Sequence, residues 1–223
     1  IDEKILDIFR DALKKSPADQ TELVCESEEF YLTRFAENQI HQNMGRSDST
    51  IWCRTVVGKK IGVARSNDAT KDGIAALVKI AFDIARSGAD DPEFGSLVRS
   101  DKAPQSGGFY NKTFSYPAAA RAADIGKIVE QANGASLSCA GTYQTSATAL
   151  CVVNSLGAEQ FGKTSDYRFS ITAVAPNGRS GWSQAAGRDL DKFDLLPEAR
   201  RAIDKAAYPG EAIRLEPGPY TVI

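Results

Sequence analysis

One pattern constrains this chain more than any other, and it occurs twice. An amphipathic helix is followed by alternating strand-like runs, a tight hairpin and a second amphipathic helix. In the first half, residues 1–15 place Ile1, Ile5, Ile8, Phe9, Ala12 and Leu13 on one face at helical spacing. Ser16-Pro17 ends that helix. Strand-like runs follow at 23–28 and 30–36, a turn at Glu37-Asn38, and a further run at 39–44. Residues 51–57 and 60–65 read as a hairpin across Gly58-Lys59. Asn67, Asp68 and Thr70 are N-cap candidates for a helix with Ile74, Leu77, Val78, Ala81, Ile84 and Ala85 inward.

The second half predicts the same order. Residues 117–133 read as a helix with Ala122, Ile125, Ile128, Val129 and Ala132 inward, and Gly134 is placed to end it. Strand-like runs at 136–143, 147–153 and 158–163 bracket a turn at Asn154-Ser155-Leu156-Gly157. Residues 167–175 and 180–186 form a hairpin across Asn177-Gly178, where an Asn-Gly turn needs positive φ at both positions. Asp194 and Pro197 open a last helix with Ala199, Ala202, Ile203 and Ala206 inward, and Pro209-Gly210 stop it. Landmarks recur at nearly constant offset: Asn38 to Asn154 is 116 residues, Gly58 to Asn177 is 119, and Asp68 to Asp189 is 121. The expected architecture is α+β, with two similar helix–antiparallel meander–helix units at 1–88 and 117–210. The helices are expected to cover one face of one sheet or of two packed sheets, and the Asn38 and Asn154 turns to line one cleft or interface. The connection at 89–116 is rich in Gly, Asp, Ser and Pro, and its Phe94, Phe109, Tyr110, Phe114 and Tyr116 are expected to pin it down.

Charge and cysteine content narrow the chemistry. There are 27 Lys and Arg against 29 Asp and Glu, a net charge of -2, which argues against direct nucleic-acid binding. No apolar run approaches the roughly 18 residues of a membrane span, so no membrane association is expected. Cys25, Cys53, Cys139 and Cys151 are scattered in strand-like runs, outside any C-x-x-C pair. They read as buried free thiols of a protein in a reducing cytoplasm. The first residue is not Met and the chain stops in a β-like run at 220–223, so a piece of a longer product is expected.

Five stretches together resemble the TldD/PmbA family, the peptidases also called modulators of DNA gyrase. They are Leu32-Thr33-Arg34-Phe35-Ala36-Glu37-Asn38-Gln39-Ile40-His41-Gln42, then Val57-Gly58-Lys59-Lys60-Ile61-Gly62-Val63-Ala64, then Ala81-Phe82-Asp83-Ile84-Ala85, then Val153-Asn154-Ser155-Leu156-Gly157, and Leu215-Glu216-Pro217-Gly218-Pro219-Tyr220-Thr221-Val222. The resemblance spans nearly the whole chain and implies an N-terminal α/β domain over 1–223, with a mostly β C-terminal domain beginning near 215–223. It implies a cytoplasmic protein that forms a homodimer, or a heterodimer with a TldD-type zinc subunit, and that acts on peptides or unfolded chains. It also carries the family's association with gyrase modulation and peptide maturation. The turns at Arg34–Asn38 and Asn154–Gly157 look more PmbA-like than TldD-like.

The chain departs from the family's catalytic pattern. It has one histidine, His41, and no H-E-x-x-x-H, whereas a hydrolytic zinc site generally needs three protein ligands. The expectation is no metal and no catalytic residue in this chain, with any zinc in a C-terminal domain or a partner subunit. Glu28-Glu29 and Asp90-Asp91 read as solvated turns. No G-x-S-x-G elbow accompanies His41, and Ser106-Gly107-Gly108 lacks the ending of a phosphate loop. Arg34, Asn38, Asn154 and Ser155 remain as candidates for substrate or partner binding, against the alternative that Asn38 only shapes its turn. Two roles stay open: a non-zinc domain that shapes or gates proteolysis, and a non-proteolytic interaction regulator of the gyrase-modulator type.

Overall fold

The computed structural model describes residues 3–99, 107–210 and 214–221. The helices are α1 (Glu3–Lys15), α2 (Lys71–Ser87), α3 (Asn111–Phe114), α4 (Ala118–Gly134) and α5 (Leu195–Ala206). The strands are β1 (Gln20–Ala36), β2 (Gln39–Val57), β3 (Lys60–Ser66), β4 (Ser138–Asn154), β5 (Glu159–Val174) and β6 (Ser180–Gly187). All six strands form one antiparallel sheet in the order β3-β2-β1-β4-β5-β6. The fold is therefore α+β, and its two meanders meet along β1 and β4. Pairing runs from Glu22↔Asn154 to Phe35↔Gly141.

The strands are longer than the sequence pattern predicts. Residues 23–28 and 30–36 belong to one strand, and so do 39–44 and 51–57. The expected turn at Glu28-Glu29 lies in the middle of β1, paired with Asp48 and Ser47 on one side and Thr148 and Ala147 on the other. Burial explains the difference. Odd-numbered positions of β1, β4 and β5 carry the core, including Leu23, Cys25, Phe35, Cys139, Tyr143, Cys151, Val153, Phe169 and Ile171. Even-numbered positions on the central strands face away from the helices, which accommodates Glu28 within the strand; Glu29, on the other face, is half-buried and accepts from the Tyr31 hydroxyl at 3.0 Å.

Two core clusters lie side by side on the helix-covered face. Phe9, Ile74, Leu77, Val78 and Ala81 pack on Leu23, Cys25, Ile51, Cys53, Cys151 and Val153. Ile125, Ile128, Ala132, Ala199, Ala202 and Ile203 pack on Phe35, Cys139, Tyr143, Phe169 and Ile171. Ile84, expected inward, is exposed because the buried stripe of α2 runs through Ile74, Leu77, Val78, Ala81 and Ala85. Ile1, also expected on the buried face of α1, lies outside the described residues. The first cluster contains three of the four thiols and the second contains Cys139; all four are free and buried. Burial raises every one of them above the ordinary thiol value, Cys53 to about 12 and Cys139 and Cys151 to about 11.

Turn chemistry fits the sequence with two exceptions. At Asn177-Gly178, Pro176 occupies the second position of the turn with its φ fixed by the ring. Gly178 donates to the Ala175 carbonyl at 2.9 Å, and only Gly178 takes a positive φ, of 82°. At the end of α4 the left-handed residue is Ser136, φ 55°, rather than Gly134. Leu137 N donates to Ala132 O at 2.9 Å and Ser136 N to Asn133 O at 3.0 Å, a Schellman closure. Thr70 and Asp194 cap α2 and α5 through their side chains, as their sequence positions predict. The central connection is also less bare than expected, because Asn111–Phe114 forms the short α3.

Candidate functional site

The helices leave one face of the sheet uncovered, and a groove of about 430 Å³ runs across its centre. Strand alternation builds the floor. Glu28 and Phe30 come from β1, Gln144, Ser146 and Thr148 from β4, and Asp166 and Arg168 from β5. All are even-numbered positions of adjacent strands, so their side chains project on the same side. Arg46 lies over the Phe30 ring at 5.7 Å from its centre and pairs with Glu28. The groove thus offers hydroxyls, an amide, both signs of charge and one aromatic face. Large apolar side chains stand elsewhere on the same face: Leu150 is 42% exposed and Trp182 is 51% exposed.

One end of this face is partly covered by the chain itself. Gln20 Oε1 accepts from Leu97 N at 2.8 Å, and Asn154 Nδ2 donates to Val98 O at 2.8 Å. Leu97 is buried there. Lys59 donates to Phe94 O at 2.7 Å and holds the same segment further along.

The four sequence candidates are not gathered in one place. Arg34 is exposed on the uncovered face, paired across the strands with Gln42 and Thr142. Asn38 sits in the β1–β2 turn, where it and Glu37 both take positive φ, 60° and 51°. Its side chain donates to Leu137 O at 2.9 Å and to Asn133 Oδ1 at 2.6 Å, and accepts from Cys139 N at 2.7 Å. Asn154 is buried, and its Oδ1 accepts from Leu156 N and Ala158 N, both at 3.0 Å. Ser155 N donates to Thr21 O at 2.8 Å while Ser155 Oγ accepts from Thr21 N at 3.0 Å.

The same device therefore works at both turns. Asn38 closes the β1–β2 turn onto Cys139 at the start of β4, and Ser155 closes the β4–β5 turn onto Thr21 at the start of β1. Because β1 and β4 are antiparallel, the two turns lie at opposite ends of the sheet, roughly 50 Å apart for strands of this length. A common cleft lined by Asn38 and Asn154 is not formed. The sequence reading missed the groove, although the alternation Gln144-Thr145-Ser146-Ala147-Thr148 shows polar side chains on the face opposite Thr145 and Ala147.

Among the described residues no group of three or more His, Cys, Asp or Glu converges in space. His41 is exposed near the start of β2. No described helix is long and apolar enough to cross a membrane.

Comparison with known proteins agrees with this architecture. Residues 21–85 match the family profile described as PmbA/TldA metallopeptidase domain 1, and residues 114–207 match the PmbA/TldA metallopeptidase central domain. The first match spans β1 to α2 and the second spans α4 to α5, one on each side of the central connection. No curated protein matches the sequence. Among solved structures, TldE from Thermococcus kodakarensis superposes with a TM-score of 0.81 at 17% identity, over 90% of this chain and 47% of that one. A Thermotoga maritima protein provisionally assigned as a modulator of a DNA gyrase gives 0.71 at 16% identity, over 92% and 47%. A Bacteroides thetaiotaomicron protein with the same provisional assignment gives 0.66 at 14% identity, over 92% and 49%. At these identities the likeness concerns the fold, and the chain spans about half the length of the structures it matches. With both profiles placed in order on the two halves of one sheet, the chain belongs to the PmbA/TldD family.

Proposed function

We propose that this chain is the non-zinc part of a TldD/PmbA-type peptidase assembly and uses the uncovered sheet face to hold a partner or a peptide near a zinc site carried elsewhere. The observation that carries this reading is the groove between Glu28, Ser146 and Arg168, set in a face that exposes Leu150 and Trp182. A large sheet face with a mixed polar groove and exposed large side chains suits protein contact better than small-molecule binding. The two matching family profiles carry the metallopeptidase description, which supports a role in proteolysis. The zinc is assigned to a C-terminal domain or a TldD-type subunit, and the substrate to peptides or unfolded chains. The PmbA side of the family is favoured by the Asn154-Ser155-Leu156-Gly157 turn, and a cytoplasmic setting by the four unpaired thiols.

Arg34 has a place in this reading because it is exposed on that face. Asn38, Asn154 and Ser155 act on it indirectly, by fixing the strand ends. The test is assembly. Mixed with a zinc-bearing TldD-type subunit, the wild-type chain should form a complex measurable by light scattering. Leu150→Glu should weaken that complex while leaving the thermal midpoint within a few degrees, since an exposed substitution rarely changes stability by more than about 0.5 kcal/mol. Equal assembly of wild type, Leu150→Glu and Arg34→Ala would remove this face from the interface. A complex that forms and leaves casein turnover unchanged would favour the non-proteolytic regulator.

A further inference from the structure

A second cleft, of about 440 Å³, opens on the opposite side of the sheet at the start of α4. Its base is Arg121, only 2% exposed. The guanidinium reaches from the first turns of the helix to the sheet. Nε donates to Thr33 Oγ1 at 3.0 Å, and Nη1 donates to Tyr116 O at 2.7 Å and more weakly to Thr145 Oγ1 at 3.5 Å. Nη2 has a single long contact, 3.4 Å to Asn43 Oδ1, so one of its two N–H groups has no acceptor among the described residues.

No carboxylate answers this charge among the described residues. The nearest acid along the same helix, Asp124, accepts from the Tyr116 hydroxyl at 2.5 Å and pairs with Lys127 at 3.0 Å. Burial accordingly pulls Arg121 below the ordinary arginine value, with Tyr143, Tyr116 and Tyr31 opposing that shift. A buried cation without a counter-charge is expensive, and an anion entering the cleft would relieve it.

The helix adds a second, independent contribution. The 17-residue α4 starts after Pro117 with no side-chain cap and no acidic residue in its first turn. Ala120 N and Arg121 N both go to Pro117 O, which leaves Ala118 N–H and Ala119 N–H without intrahelical partners. Ala118, one of the two residues whose helix N–H is free, lines the same cleft as the buried Arg121. Most of the remaining wall is apolar or aromatic, from Tyr31, Met44, Phe114 and Tyr116, with Asn43 and Ser115 as its polar side chains.

We infer that this cleft binds an organic carboxylate carrying an apolar or aromatic body, and that its natural form is the C-terminus of a peptide. A carboxylate presents two oxygens to the free Nη2 N–H and the helix donors, and the body beside it meets the ring walls. The anion site stands on geometry alone; its assignment to peptide termini rests on the proposed peptidase role.

Calorimetry with a short N-acetylated peptide ending in Phe tests this, using its C-terminal amide as control and inorganic phosphate as a third probe. The free acid should bind at least about tenfold more tightly than the amide, the usual worth of a charge-assisted pair. Arg121→Met should abolish that preference. Because loss of buried Arg121 can itself unfold the chain, Ser115→Glu, an exposed change at the rim, supplies a second reading. It should weaken free-acid binding several-fold at unchanged thermal midpoint. Equal binding of acid and amide, or no binding of either, overturns the inference. Phosphate binding without the peptide acid would leave an anion site and remove the peptide terminus. Free-acid binding in a chain that fails to join a zinc-bearing subunit would keep this site and sink the assembly role.

Discussion

Gly181 lies directly under Ala202: a Cβ on Gly181 would fall 2.0 Å from the Ala202 carbonyl oxygen and 2.8 Å from Ala206 N. Gly62 repeats the relationship in the other half, with a Cβ 2.0 Å from Ala81 O and 2.4 Å from Ala85 N. In both cases an outer strand gives up its side chain so that a helix, small at positions i and i+4, can pack its backbone against the sheet. The spacing from glycine to first alanine is nearly the same, 62 to 81 and 181 to 202. We propose on this ground that residues 1–88 and 117–210 are two copies of one unit.

The glycine contacts make a direct prediction. Gly62→Ala and Gly181→Ala should each destabilise the fold by about 2 kcal/mol or more, because the clash is with helix backbone that cannot rotate away. Gly126→Ala, on α4 with open space around its Cβ position, is the control and should be neutral or slightly stabilising. Urea unfolding of the three variants decides it. A Gly62→Ala protein as stable as wild type would mean that α2 does not lie against β3 as described.

Asn38 separates conformation from contact. Asn38→Gly keeps the positive φ and loses the side-chain bonds to Leu137 O, Asn133 Oδ1 and Cys139 N, so a loss of roughly 1–3 kcal/mol is expected. Asn38→Ala loses the same bonds and adds left-handed strain, about 1 kcal/mol more. Equal unfolding midpoints for the two variants would show that backbone conformation contributes nothing at this turn.

The buried thiols set an alkaline limit. Their folded values are raised while the unfolded chain titrates near the ordinary thiol value, so the unfolded state loses its protons first. This contribution to stability is fully present below the ordinary thiol value and is lost as pH rises toward about 11 to 12, the folded values of Cys151, Cys139 and Cys53. Half-buried Tyr116, raised to about 12, adds to the same decline. At pH 8 iodoacetamide should label none of the four cysteines until the chain unfolds. Rapid labelling of the native protein would contradict their burial.

Much of the fold could be read from the sequence where local chemistry acts alone. Thr70 and Asp194 announced their helices, and Gly58-Lys59 its hairpin. The long strands could not, because the apparent break at Glu28-Glu29 and the gap between the runs 39–44 and 51–57 are polar stretches on strands with one face uncovered. The groove formed by Glu28, Ser146 and Arg168 depends on β1 meeting β4 across more than a hundred residues, which no local pattern encodes. Arg121 did leave a trace. It stands on the stripe of Ile125, Ile128 and Ala132, where α4 is otherwise apolar, and a charge at that spacing marks a buried cation.

The central claim is that this chain contributes a docking face and no chemistry of its own to a peptidase assembly. It is tested most directly by casein turnover measured on three samples: the chain alone, a zinc-bearing TldD-type subunit with the wild-type chain, and the same subunit with Trp182→Glu. The account predicts no cleavage by the chain alone, turnover in the wild-type mixture, and reduced turnover with Trp182→Glu. Cleavage by the chain alone that survives repurification and metal chelation, or identical turnover in both mixtures, would contradict it.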